Sequence, residues 1–457
     1  MSSQFPFGFT PGGGGSGDRG QGGQGPFGFG GAAPFFAELE KLLSWQGGPV
    51  NWELARQVAA RTVGTDDPKV TSADEEATAA ALRIADVWLD PVTRLPAGGA
   101  RAQAWTRVRW IEATVPIWQK LCDPVAARVV EAMRTGLSGG LAQLGDTQGL
   151  PPELVGALPP GLDLGQLMAA GGPVVEMMNR VGGMLFGAQV GQAIGTLASE
   201  VVSSTEIGLP LAPAGTAALL PANVAAFGEG LGVEAEEVRI YLAMREAAAT
   251  RLFAHVPWLR AHLLGTVEEY ARGITVDQDA LGQMMRMVDP SMLMDPEKLS
   301  EALGEDVFAD ATTPEQEAAL GRLEVALALV EGWIDHVTDT AATEHLPSAP
   351  RLREMVRRRR AEGGPAEQTF ATLVGLSLRP RRLREAAALW EALRAARGAD
   401  GRDAVWDHPD LLPSADDLTN PESFVSGSAA STMDPIAEIE KLTDTPPDEP
   451  GSDINGR

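Results

Sequence analysis

Four glycines, Gly183, Gly187, Gly191 and Gly195, recur at four-residue intervals in the uncharged run VGGMLFGAQVGQAIGTLAS, residues 181–199. On a helix this spacing gathers them into one smooth stripe with no side chains. Such a helix must meet a neighbour at very short range. A bilayer offers one setting, in which the stripe lets two spans approach; the interior of a helical domain offers the other. Gln189, Gln192, Thr196 and Ser199 interrupt the run, which makes it less apolar than a membrane span. The sequence therefore predicts no membrane span and a tightly packed helix in a soluble domain.

The pattern around this run is also helical, and the expected fold class is mainly α. PFFAELEKLLSW spaces its apolar residues for one helix face, and TSADEEATAAALRIADVWL opens with Ser72 and Glu75 in capping-box spacing. AWTRVRWIEATVPIWQKLCDPV carries Trp105, Trp110 and Trp118, which suit a core better than a ligand site. Thr313 followed by Pro314 and Gln316 reads as a cap, a first helical position and the closing residue of a box. The exception is TAALLPANVAAFGEG, 216–230. Its Pro-Ala-Asn break between apolar runs predicts one or two short strands, or a hairpin, before a helix at 234.

The two ends differ from this middle. Residues 1–33 are Gly-rich, with PFGF occurring twice, and cannot bury enough apolar surface to offset their ordering entropy. Residues 426–457 form an acidic, Pro-containing tail. Both are expected to be disordered, leaving a helical region over 34–425. The Met-rich stretch 284–294 suits either an irregular core or an adaptable binding surface. Arginines cluster locally between 351 and 402, most densely at RLREMVRRRR and RPRRLRE. They read as a solvated face balancing an acidic body, or as a dock for an acidic partner or for the chain's own acidic tail.

Charge and motifs exclude several functions. A formal charge of −25 repels phosphates, which argues against nucleic acid and anionic lipid as partners. Cys122 is the only cysteine, so neither an intrachain disulfide nor a cysteine zinc cluster can form. The N-terminus lacks the basic and apolar regions of a secretory signal, so a cytoplasmic location is expected. There is no G-x-x-x-x-G-K-[ST]. FGEGLG has the wrong glycine spacing for a dinucleotide turn, and Glu229 would repel a pyrophosphate.

One stretch repays closer reading: YLAMREAAATRLFAHVPWLRAHLLGTVEEY, 241–270. A zinc peptidase helix is H-E-x-x-H, in which two imidazoles one turn apart bind the metal and the adjacent carboxylate activates its water. Here the pentapeptide is REAAA, with Arg245 and Ala249 at the two ligand positions and Glu246 at the base position. His255 and His262 are seven apart, roughly 10 Å along a helix, which is too far for two ligands of one zinc, and Pro257 separates them. They read as core or surface imidazoles. His336, near Asp335 and Asp339, could join a metal cluster or simply lie on a polar helix face.

Six segments together carry a resemblance over about 35–425: ALRIADVWLD, WTRVRWIEATVPIWQKLCDPVA, GQAIGTLASEVVSSTEIGLPL, REAAATRLFAHVPWLRAHL, VEGWIDHV and GGPAEQTFATLVGLSLRPRRLREAAALW. They resemble a zincin-like family from high-GC Gram-positive bacteria, described as zinc-dependent metalloproteases or hydrolases. The resemblance implies a zincin-like helical domain with a few short strands before the motif helix. It places that helix near 234–254 and a third-ligand helix near 314–341. It also implies zinc as cofactor, Glu246 as the catalytic glutamate and Glu331 as the carboxylate ligand. Arg245 and Ala249, however, offer no electron pair to a metal. With both histidines missing, Arg245 could instead give a buried Glu331 its counter-cation.

Three readings follow. The first is a zincin-fold member with a degenerate zinc centre that binds a peptide or partner protein. The second is a hydrolase with an unconventional site around Glu246 and Glu331. The third is a helical structural or interaction protein. The sequence leaves the oligomeric state open.

Overall fold

The computed structural model describes residues 48–143, 173–273, 313–361 and 382–430. The leader 1–33, the Met-rich stretch and the tail beyond 430 lie outside these residues. In chain order the helices are α1 (Trp52–Val63), α2 (Ser72–Leu89), α3 (Arg107–Gln143), α4 (Pro173–Ala198), α5 (Pro221–Gly228), α6 (Ala235–His255), α7 (Pro257–Arg272), α8 (Pro314–His345), α9 (Ala349–Ala361), α10 (Leu383–Asp403), α11 (Ala415–Thr419) and α12 (Pro421–Ala430). Two strands, β1 (Arg101–Ala104) and β2 (Thr216–Leu219), pair in parallel with Arg101 opposite Thr216. The fold is mainly α, as the helical periodicity predicts.

Local chemistry sets the boundaries. Thr313 accepts from the Gln316 amide while the Gln316 side chain accepts from the Thr313 amide, so α8 opens with a closed capping box. The box on α2 falls one residue earlier than the sequence suggests. Thr71 and Asp74 form it, not Ser72 and Glu75. The segment 216–230 also departs from a hairpin: its first half is β2, but Pro221 starts α5, because proline suits a first helical turn and cannot pair in a strand. β2 finds its partner in β1, more than a hundred residues upstream.

The glycine stripe of α4 lies on α1. An added Cβ on Gly187 would sit 2.6 Å from the Asn51 carbonyl oxygen, and one on Gly195 would sit 2.6 Å from Thr62 Cβ. At Gly191 the obstruction is the Ala55 carbonyl. The Asn51 amide donates to the Gly183 carbonyl at 2.8 Å, which fixes the register of the two helices. Among the described residues, no helix is long and apolar enough to cross a membrane. Trp105, Trp110 and Trp118 are all buried in the core.

At the centre stands α6, which is buried on nearly every side from Val238 to Leu252. Alanines at 243, 247, 248 and 249 keep it thin enough for α2, β2 and α8 to close on it. Arg251 ties it to α2: it is almost fully buried and donates to Asp86, Asp90 and the Leu95 carbonyl. On the far side of α8, an added Cβ on Gly332 would lie 2.8 Å from Ala386 Cβ, so α8 and α10 cross there at close range.

A buried ion-pair centre as candidate functional site

Arg245 and Ala249 lie one turn apart on α6 and share a face, whereas Glu246 is turned about 100° away from Arg245. The two faces meet different surroundings. Glu246 is fully buried and points at β2 and the segment before it. One carboxylate oxygen accepts from the Ala218 amide at 3.0 Å and from the Ser204 hydroxyl. The other accepts from the Thr205 amide at 3.1 Å and the Thr205 hydroxyl at 2.5 Å. Burial raises the carboxyl above its ordinary range, while these donors oppose the shift. Glu246 thus takes up backbone and hydroxyl donors that would otherwise be buried without partners.

Arg245 faces α8. Its guanidinium donates to Glu331 Oε2 at 3.0 Å and to Asp335 Oδ1 at 3.3 Å. Burial disfavours its charge, but Glu331 and Asp335 outweigh that penalty and hold its pKa above the usual arginine value. Glu331, Asp335 and Asp339 form an i, i+4 stripe along α8, and α9 runs antiparallel beside it. Arg360 pairs with Glu331, Arg357 donates to Asp335 Oδ2 at 2.7 Å and Arg353 pairs with Asp339. The two readings of the arginine run, a solvated face or a dock for an acidic partner, do not describe these three side chains. They are matched to acids within the same domain.

Between the helices lies a pocket of about 10 Å³, roughly the room one water needs. Arg245, Ala249, Glu331, Ser203, Thr205 and Arg360 contribute to its lining, and Glu246 does not. Gly208 closes another side: it has φ 73°, and an added Cβ would lie 3.0 Å from Glu331 Oε1. A residue with a side chain there would meet both the left-handed backbone and the carboxylate.

These residues do not fit a zinc ion. Three protein donors are the usual minimum, and here a guanidinium and a methyl stand beside a single carboxylate already paired with two arginines. Among the described residues, no group of three or more His, Cys, Asp or Glu is placed to hold a metal. His255 is exposed at the end of α6. His262 packs edge-on against Trp258, and burial lowers its pKa. His336 is pushed down to about 4, by burial first and then by Arg402 and Arg394.

A second cavity, of about 330 Å³, adjoins the pair centre. Asp335, Asp339, Arg353, Arg357, Arg384 and Glu391 face it, so its walls alternate in charge.

Sequence reasoning paired Arg245 with Glu331 but missed Asp335 as its second acceptor and Arg360 as the second cation on Glu331. It also missed Ser204, Thr205 and the Ala218 amide around Glu246. The ladder had a sequence signal: acids at 331, 335 and 339 match arginines at 353, 357 and 360 when the second helix runs backwards. No local signal announces the β2 amide.

A family model described as zincin-like metallopeptidase matches residues 50–425. A crystal structure from Chloroflexus aurantiacus, described as "a putative hydrolase with a novel fold", superposes with a TM-score of 0.57 at 21% identity. The match covers 83% of this chain and 99% of that one, and it speaks to the fold alone. No curated protein sequence matches the chain.

Proposed function

The chain belongs to the zincin-like metallopeptidase family, and from that premise we propose that its zinc centre has been replaced by an ion-pair centre and that it works by binding a peptide or a partner protein. The observation that carries this reading is Arg245, whose guanidinium bridges Glu331 and Asp335 on the face where the family motif places its ligands. A forked cation suits two carboxylates much as a metal would, but it can neither polarise a carbonyl as a Lewis acid nor generate hydroxide at neutral pH. Glu331 in this reading is the retained third ligand, now serving as half of an ion pair.

Glu246 is the family's catalytic glutamate by position. Its two oxygens are occupied by four donors, and it does not line the pocket. This arrangement favours an anchoring role over that of a base, and it weighs against a hydrolase built around Glu246 and Glu331. The alternately charged cavity beside the centre supports the binding reading, since a short polar peptide can match charges of both signs there.

The test combines metal analysis with binding. Freshly purified protein should carry only trace zinc, and it should capture polar peptides from a random peptide mixture equally well with and without a strong chelator. Near-stoichiometric zinc lost on Glu331→Ala, together with peptide cleavage that the chelator abolishes, would establish the hydrolase instead.

A further inference from the structure

The two halves of α9 are held by different forces. Ala349, Leu352 and Val356 in its first two turns are buried in the core. Its last turn, 357–360, is four arginines with no buried apolar side chain. Polar bonds and the Arg359 guanidinium over the Phe227 ring of α5 hold that turn, and the polar bonds reach both walls of the pocket. Arg360 pairs with Glu331 on α8 and donates to the Glu206 carbonyl at 3.0 Å, while Arg359 donates to the Glu200 carbonyl. Arg360 itself forms part of the pocket lining.

We propose that the end of α9 beyond Arg357, which stays paired with Asp335, is a lid over the Arg245–Ala249–Glu331 pocket, and that Arg360 occupies the place of a cationic group of the ligand, an arginine- or lysine-bearing peptide. A ligand that reaches Glu331 needs such a lid to open. The pocket as closed has room for about one water, so no peptide group reaches Glu331 until Arg360 leaves. Once Arg360 withdraws, the second cation on Glu331 is gone, and a guanidinium or ammonium from a ligand restores the pairing. Local opening of this kind draws on segments with few buried apolar contacts, and the arginine turn is such a segment. As regulation and specificity of the same site, the ligand assignment rests on the binding reading above; the lid itself is measurable without any ligand.

The only native cysteine provides the control. Cys122 is fully buried and burial pushes its thiol up, so it does not react with thiol reagents while the protein is folded. Ala249→Cys places a second thiol at the pocket lining, where Ala249 is 1% exposed. With the lid intact, this thiol should react slowly with an aromatic disulfide reagent. Adding Arg359→Gln and Arg360→Gln should speed its reaction about tenfold or more, while Cys122 stays blocked and the circular dichroism is unchanged. Unchanged labelling in the folded variant overturns the lid. If Cys122 reacts in step, the variant has unfolded, and amide exchange on the unsubstituted protein decides. Amides of 358–361 exchanging well before those of 352–356 support the lid; equal protection of both halves overturns it.

The ligand class is read in the same lid-opened background. Acetyl-tetraarginine amide should slow labelling of the introduced thiol, the corresponding tetraglutamate should not, and Glu331→Gln should remove the protection. Faster labelling in the open variant with no protection by tetraarginine would keep the lid and overturn the cationic ligand.

Discussion

Glu246 shows how much a single side chain's role depends on which way it turns. Each of its oxygens accepts from one backbone amide and one hydroxyl, so the carboxylate serves as a buried acceptor for β2 and the segment before it. Glu246→Gln keeps the shape but replaces one oxygen with an NH₂ group. Whichever way the amide is flipped, that NH₂ confronts a backbone N–H, which is then left without an acceptor. Such a loss costs about 1–3 kcal/mol, and urea unfolding should show it as a lowered midpoint at unchanged slope. An unchanged midpoint would mean that the four donors do not depend on the carboxylate. Arg245 is the counter-example, since one of its partners, Glu331, could be named from the family resemblance carried by REAAA and VEGWIDHV. The Arg245–Glu331 pair was legible because the family motif aligned both positions. The environment of Glu246 was not, because its donors arrive from a strand and a loop whose placement no local pattern encodes.

Among the described elements, α1 and α4 pack backbone to backbone. The stripe of Gly187, Gly191 and Gly195 lets α4 lie directly on the backbone of α1, where carbonyl oxygens of Asn51, Ala55 and Ala59 leave no room for a Cβ. Gly187→Leu or Gly191→Leu should therefore destabilise the fold by about 1–3 kcal/mol or more, since backbone yields less readily than a side chain. Thermal or urea unfolding of purified variants measures this directly, and a stability equal to the parent's would refute the packing. The sequence showed that α4 needed a close neighbour and could not show which one. Capping boxes were similarly legible to within a residue: the Thr313–Gln316 box stands where it was read, and the α2 box is shifted from Ser72 to Thr71. The strand pairing was not legible. β1 and β2 are four residues each and parallel, and parallel partners can lie anywhere in the chain.

For the whole molecule, the fold brings α6, α8 and α9 together so that they enclose a cluster of paired charges. Four arginines, at 245, 353, 357 and 360, face three acids, at 331, 335 and 339. Removing one partner of a buried pair strands the other, at about 3–5 kcal/mol. This explains how such a cluster persists once formed: each charge depends on its neighbours. The central claim is that Arg245 occupies a former metal position, and reversing the substitution tests it. Arg245→His with Ala249→His recreates H-E-A-A-H, placing two imidazoles one turn apart beside Glu331. Zinc stoichiometry by elemental analysis and calorimetry is the measurement, made with and without Arg360→Ala, which frees Glu331 from its remaining arginine. The account predicts about one zinc per chain, bound more tightly without Arg360 and lost on Glu331→Ala, because three protein ligands are needed to hold the metal. Folded variants that take up no zinc in either background would contradict it.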